Sequence, residues 1–198
     1  MIKNVTTRRT RAAPRRDQLV AGALALFVRE GFHGVGIDRI LAEAGVAKMT
    51  LYKHFRSKDD LIVAALMRRD SDYRNWLMRE VDRLADGPDE TLVAYVDAVR
   101  NWCRNPDFNG CTFINAAAEF RNPDHPVHRA AAEHKQAVFI FVENLAKGAR
   151  LIKPKRIAMQ VRLLVDGATV MKQTTGSEEG FAVARDSVAQ LVAAAARS

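Results

Sequence analysis

Ile37-Asp38-Arg39-Ile40-Leu41-Ala42-Glu43-Ala44-Gly45-Val46-Ala47-Lys48-Met49-Thr50-Leu51-Tyr52-Lys53-His54-Phe55 reads as two short helices, 37–44 and 47–54, joined by a glycine turn. Ile37, Ile40, Leu41 and Ala44 repeat at helical spacing, and Gly45 closes that helix. Ile40, Leu41, Val46 and Leu51 are expected to lock the pair against Phe27 and Phe55. These are the dimensions of a helix-turn-helix. Its second helix then turns Lys48, Met49, Thr50, Tyr52 and Lys53 outward. Phosphate donors, a hydroxyl and an aromatic on one short face suit the major groove of DNA. A generic helix pair buries the same apolar positions, so spacing alone leaves both readings open.

Outward from this stretch every periodic segment predicts helix. Val20, Ala23, Leu24, Phe27 and Val28 form one stripe of a helix over about 15–30, with Gly31 as its left-handed stop. Ser57-Lys58-Asp59-Asp60 is a capping box that starts a long helix running to about 84, where Asp86-Gly87-Pro88 breaks it. Further helices are expected at about 89–104, 111–121, 126–149, 154–173 and 177–196, with Pro154 in a first turn. There is no alternating strand pattern. The fold class is all-α, about nine helices: an N-terminal three-helix helix-turn-helix domain, then a C-terminal helical domain.

The charge is unevenly placed. Residues 1–58 hold 12 Lys/Arg against 4 Asp/Glu, whereas residues 59–198 hold 19 against 19, so the whole formal charge of +8 sits in the first third. Residues 1–16 contain six bases and no acid. Such a split points to a polyanion-binding front end and a neutral back end, unless the basic arm only aids solubility. With 48% hydrophobic and 27% charged residues, wholesale disorder is excluded. No apolar run reaches the ~18–20 residues of a membrane span. Two cysteines, Cys103 and Cys111, are too few for a disulfide framework, so the expected compartment is cytoplasmic. No nucleophile elbow, glycine-rich phosphate loop or catalytic carboxylate pair occurs, and no enzyme is expected.

Leu19-Val20-Ala21-Gly22-Ala23-Leu24-Ala25-Leu26-Phe27, Gly31-Phe32, and Ile40 through Leu61 with its run Ala44-Gly45-Val46-Ala47-Lys48-Met49-Thr50-Leu51-Tyr52-Lys53-His54-Phe55-Arg56-Ser57-Lys58 closely resemble the TetR/AcrR family of bacterial transcriptional regulators. The later run Gly110-Cys111-x-Phe113-x-Asn115-Ala116-x-Ala118-Glu119, followed by His125-Pro126-Val127, is similar to the C-terminal domain of one subgroup. The resemblance implies that Lys48, Met49 and Thr50 lie near base edges and phosphates, with Lys53 on the same face. Tyr52 and His54 would contact the backbone, and Lys58 would pin a phosphate at a helix N-terminus. Most members carry Thr or Ser just before the second helix, where this chain has Val35 and Gly36. Gly36 still offers its N–H, and Arg39, Arg15 and Arg16 are candidates to compensate. Asp38 would repel phosphate unless it caps the helix or accepts from cytosine.

The resemblance also implies an effector pocket in the C-terminal half. Trp102, Phe108, Phe113, Phe120, Phe139 and Met171 are candidates to line it, although side chains at such helical spacing more often pack the core. Asn115 and Glu119 share a face, either anchoring a ligand or satisfying a helix end. An uncharged or weakly polar organic ligand is expected, wedged beside Trp76, Leu77 or Val81. The last two helices would pair with their twins through Ile157, Val161, Leu164, Val165, Val188, Leu191 and Val192. Cys103 and Cys111 are read as inert thiols or a thiol sensor. His125, His128 and His134 suggest metal only faintly, so no metal or cofactor is expected. The expected domains are a basic flexible arm at 1–14, a helix-turn-helix domain at 15–60 and an effector-binding and dimerisation domain at 61–198. The expected partners are double-stranded operator DNA, a second copy of the chain and a small-molecule effector, with no membrane. The anticipated action is repression of a pseudo-palindromic operator, relieved by ligand.

Overall fold

The computed structural model describes residues 14–195, so the basic arm lies outside the described residues except for Pro14. Nine α-helices and no strand occur among those residues. They are α1 (Arg15–Glu30), α2 (Ile37–Ala44), α3 (Lys48–His54), α4 (Lys58–Leu84), α5 (Thr91–Cys103), α6 (Thr112–Glu119), α7 (Pro126–Gly148), α8 (Pro154–Thr175) and α9 (Glu179–Ala194). A 3-10 turn, Pro88–Glu90, leads into α5. No helix among the described residues is long and apolar enough to cross a membrane.

Local chemistry sets the helix ends. Gly31 takes φ +80° and Gly45 takes φ +63°, backbone that a side chain disfavours. Gly45 is thereby the left-handed C-cap of α2, its N–H reaching back to the Leu41 and Ala42 carbonyls. Ser57 caps α4, its hydroxyl accepting from Asp60 N–H at 3.1 Å. The Asp60 carboxylate accepts from Arg56 N–H, one residue short of the usual reciprocal partner.

Two apolar cores share α4. The first gathers Leu19, Leu26, Phe27, Phe32, Val35, Ile40, Leu51 and Phe55 with Leu61, Ile62, Ala65 and Leu66 of α4. Phe113 and Ala116 of α6, with Val127 and Ala131 of α7, complete it. The second gathers Leu77 and Val81 of α4 with the buried faces of α5, α7, α8 and α9. A full burial is worth roughly 1.5–3 kcal/mol per large apolar side chain. The helix-turn-helix is therefore welded to α4, α6 and α7 by apolar burial.

The stripes expected to pair two protomers lie elsewhere. Ile157, Val161, Val165, Val188 and Val192 are buried inside the protomer, and Leu164 and Leu191 pack against the same core. The reason is geometric: a helix held between α7 and α9 needs its dominant apolar stripe for its own bundle. The apolar side chains that α8 and α9 leave outside are Met159, Leu163, Val170, Met171 and Val183.

Candidate DNA interface and effector cavity

The α2–α3 unit presents the face its sequence implies. Leu51 is fully buried beneath it, whereas Met49 is 82% and Tyr52 52% exposed. Lys48, Lys53 and His54 are exposed beside them, and Thr50 is half-buried at the first turn. The cationic and polar atoms stand over an apolar anchor, Leu51, which packs α3 into the first core.

The flanking charges are partly engaged. Lys48 Nζ lies 3.8 Å from Asp38, which stays 89% exposed in the first turn of α2. The acid is thus offset by its neighbour and caps nothing; Gly36 is the N-cap. Arg39 bonds Glu30 at 3.0 Å. Arg15 donates to Gln18, and the Arg16 guanidinium lies 5.3 Å from the Phe55 ring centroid. Lys58, at the start of α4, is half-buried; burial lowers its pKa, opposed by Asp59 and Glu119. Val35 is buried in the first core, so it offers nothing to a phosphate. Gly36 has ordinary extended backbone at φ −81°, and a side chain added there would meet open space.

A cavity of about 560 Å³, counted to its open mouth, lies among α4, α5, α6, α7 and α8. Aromatic side chains wall it: Tyr73, Tyr95, Trp102, Phe108 and Phe113. The polar wall was not anticipated. Arg69, Lys135, Arg162 and Asp166 all line the cavity. Lys135 and Arg162 grip the two Asp166 carboxylate oxygens at 2.8 and 2.9 Å. His134 stacks on Phe113 with ring centroids 3.5 Å apart and meets Asp70 at 2.7 Å. Burial pushes the His134 pKa down to about 4 despite Asp70. It therefore stands neutral at neutral pH.

Of the expected pocket residues, Trp102, Phe108 and Phe113 line this cavity and the others do not. Asn115 donates to the Asn109 carbonyl and accepts from Gln173. Phe120 stacks on His33 and His125 at the junction with α1. Phe139 is buried in the second core, and Met171 is 45% exposed on α8. The cavity meets α4 at Arg69 and Tyr73, N-terminal to the expected Trp76, Leu77 and Val81. Leu77 and Val81 are core, and Trp76 packs on Trp102. Helical periodicity marks burial but cannot separate a cavity wall from solid core. Cys103 and Cys111 both line the cavity, and burial pushes the Cys103 thiol up to about 12. His125 caps α7 and His128 bonds the Phe120 carbonyl. No cluster of metal-ligating side chains occurs among the described residues.

The short helix α6 touches both sites. Its N-terminal turn carries Phe113 on the cavity wall. Its last residue, Glu119, receives the Phe32 N–H at 3.0 Å, the His33 N–H at 2.7 Å and the His33 ring at 2.9 Å. Burial raises the Glu119 pKa, but these donors more than offset it and the carboxyl is held below its ordinary range. Glu119 thereby ties the α1–α2 turn to the C-terminal half. The sequence offered Glu119 as a ligand anchor or as the partner of a helix end; it instead takes the N–H groups of the turn between α1 and α2.

Among the described residues, an all-helical build with a helix-turn-helix at its front is that of a DNA-binding transcriptional regulator. The profile described as "Bacterial regulatory proteins, tetR family" matches residues 19–65. SCO4454, a TetR-family transcriptional regulator from Streptomyces coelicolor, is 34% identical over 90% of this chain and 94% of its own, with a TM-score of 0.82. The transcriptional activator FasR of Mycolicibacterium smegmatis is 30% identical over 78% of this chain and 55% of its own length. The transcriptional repressor NemR of Escherichia coli is 26% identical over 68% of each. The chain belongs to the TetR family: it is a helix-turn-helix, DNA-binding transcriptional regulator and not an enzyme.

Proposed function

We propose that the protein is a homodimeric repressor that holds a pseudo-palindromic operator through α3 and releases it when a small organic ligand enters the cavity. The observation that carries this reading is α6, which has Phe113 on the cavity and Glu119 on the α1–α2 turn. Residues 15–60 read DNA in this scheme, and residues 61–198 bind effector and partner. Lys48, Met49, Thr50 and Lys53 face the major groove, Tyr52 and His54 contact its backbone, and Arg15, Arg16, Arg39, Gly36 and Lys58 meet phosphates. A ligand that prefers a cavity with Phe113 displaced favours a displaced α6, and Glu119 transmits the shift to the DNA-binding turn. A tenfold preference for that state is worth ~1.4 kcal/mol per site, within the usual range of allosteric coupling.

The second copy docks on the outer face of α8 and α9 in this proposal, through Met159, Leu163, Val170 and Val183. These side chains are exposed in the protomer, and Gly167 beside them leaves room for close approach. The test is fluorescence anisotropy with DNA from upstream of the chain's own gene, against random DNA of equal length. Thr50→Ala and Tyr52→Ala are expected to weaken specific binding at unchanged melting temperature. Equal affinity for both DNAs, or no effect of either substitution, overturns the reading.

A further inference from the structure

We infer that the cavity is built for an organic anion, a carboxylate on an aromatic or aliphatic body, received between Arg69 and Arg162. The inference rests on the cavity being the effector site. Its first support is an unanswered buried donor. Arg162 is only 7% exposed; its two terminal nitrogens bond the Lys135 carbonyl and Asp166, yet its Nε–H has no acceptor among the described residues. A buried guanidinium donor left unpaired is costly, and natural interiors seldom leave one so.

The second support is charge. Arg69, Lys135 and Arg162 bring three cations to the cavity wall, against the single carboxylate of Asp166. His134 adds none, being neutral. Asp166 already serves Lys135 and Arg162 with one oxygen each. Arg69 has no carboxylate within ion-pair distance among the described residues. Its guanidinium lies 4.5 Å from the Trp102 ring centroid, and its partial burial disfavours the charged form. A guanidinium over an indole at the cavity wall, with no carboxylate in ion-pair distance among the described residues, is an arrangement that a planar carboxylate completes with two parallel hydrogen bonds. A neutral ligand leaves the excess positive charge in place. The aromatic walls around Tyr73, Tyr95 and Trp102 then receive the apolar body. The weakly polar effector expected from the apolar pattern of the sequence is thereby replaced by an anionic one.

The experiment uses matched pairs in which the carboxylate is replaced by a neutral hydroxymethyl group on the same body: benzoate with benzyl alcohol, 3-phenylpropionate with 3-phenylpropanol, and octanoate with octanol. Quenching of Trp76 and Trp102 fluorescence and calorimetric titration measure binding to the native chain and to Arg69→Gln. At least one acid is expected to bind tenfold or more tightly than its alcohol, and Arg69→Gln is expected to shrink that preference below threefold. Arg69 has no ion-pair partner to orphan, and Arg69→Lys retains the charge if the glutamine variant melts early. Alcohols binding as well as acids, an unchanged preference in Arg69→Gln, or no acid binding at millimolar concentration overturns the inference. Parallel operator anisotropy separates the two readings. An acid that binds through Arg69 but leaves DNA bound supports the anion site and refutes ligand release. An alcohol that releases DNA while no acid binds does the reverse.

Discussion

Removing the Glu119 carboxylate is the sharpest perturbation of the link between cavity and DNA-binding face. Two backbone N–H groups, of Phe32 and His33, end on it at 3.0 and 2.7 Å. Phe32 is 1% exposed, so water cannot readily replace the acceptor. Charged hydrogen bonds contribute about 1.5–3 kcal/mol each when buried. The Glu119 side chain is 27% exposed, which argues for the low end or less, and the His33 ring, 64% exposed, adds little. Two backbone bonds at ~1–1.5 kcal/mol give ~2–3 kcal/mol for Glu119→Ala. In a chain of this size ~1 kcal/mol shifts the melting temperature by about 2–4 °C, so a fall of roughly 4–12 °C is expected. Glu119→Gln keeps one acceptor and should fall about half as far. If half the lost energy appears as freedom of the α1–α2 turn, operator affinity drops about tenfold. Circular dichroism melting and fluorescence anisotropy read the two effects. Asp72, in an exposed i,i+4 pair with Arg68, is the control, and Asp72→Ala should change neither. Glu119→Ala with melting within 1 °C and affinity within twofold of the native chain refutes the clamp.

The other predictions concern assembly, phosphate contact and acid. Leu163 is 68% exposed on the proposed seam, so Leu163→Glu is expected to give a folded monomer at micromolar concentration in sedimentation; a dimer unchanged in affinity places the interface elsewhere. Gly36→Ser meets open space and restores the hydroxyl most family members carry, so it should tighten operator binding by roughly 0.5–1.5 kcal/mol per subunit; weaker binding at unchanged melting temperature means that no phosphate approaches there. His134, with its folded pKa lowered to about 4 against 6.5 when free, protonates more readily in the unfolded chain. Stability present above pH 6.5 is therefore lost as pH falls toward 4, by an amount on the order of 3 kcal/mol. Asp70 and Glu119, both lowered, steepen the loss below their free values, while Lys135 and Arg162 disfavour the His134 cation throughout. His134→Phe keeps the stack on Phe113 and should flatten the melting profile between pH 6.5 and 4.5; an equally steep profile assigns the loss to other groups.

The helical framework was legible because local chemistry dictated it. Ser57 and the Asp86-Gly87-Pro88 break bracket α4, and Gly45 separates α2 from α3 at its left-handed φ. The α3 face was equally legible, since Leu51 turns inward and its neighbours at other helical angles must turn out. The cavity was legible only through Trp102, Phe108 and Phe113. Phe120 and Phe139 show the same apolar signal and fill junction and core instead. Arg69 and Lys135 look like solvent-facing charges in the sequence. One signal was available: Arg162 falls on the same arc of α8 as Ala158, Val161 and Val165, where a cation is out of place unless the interior uses it. The stripes expected at a subunit seam turn inward for a related reason. A strong stripe marks the nearest apolar partner, which for α8 is its own bundle, and the weaker stripe through Met159 and Leu163 is interrupted by polar residues.

Hydroxyl-radical footprinting of the native protein on DNA from upstream of its own gene measures where α3 sits on a duplex. Two protected patches in successive major grooves are expected, ~34–36 Å apart centre to centre or a multiple of that. Both patches should vanish together in Tyr52→Ala at unchanged melting temperature. Uniform protection along the fragment, or the same footprint on random DNA, would contradict sequence-specific docking of α3.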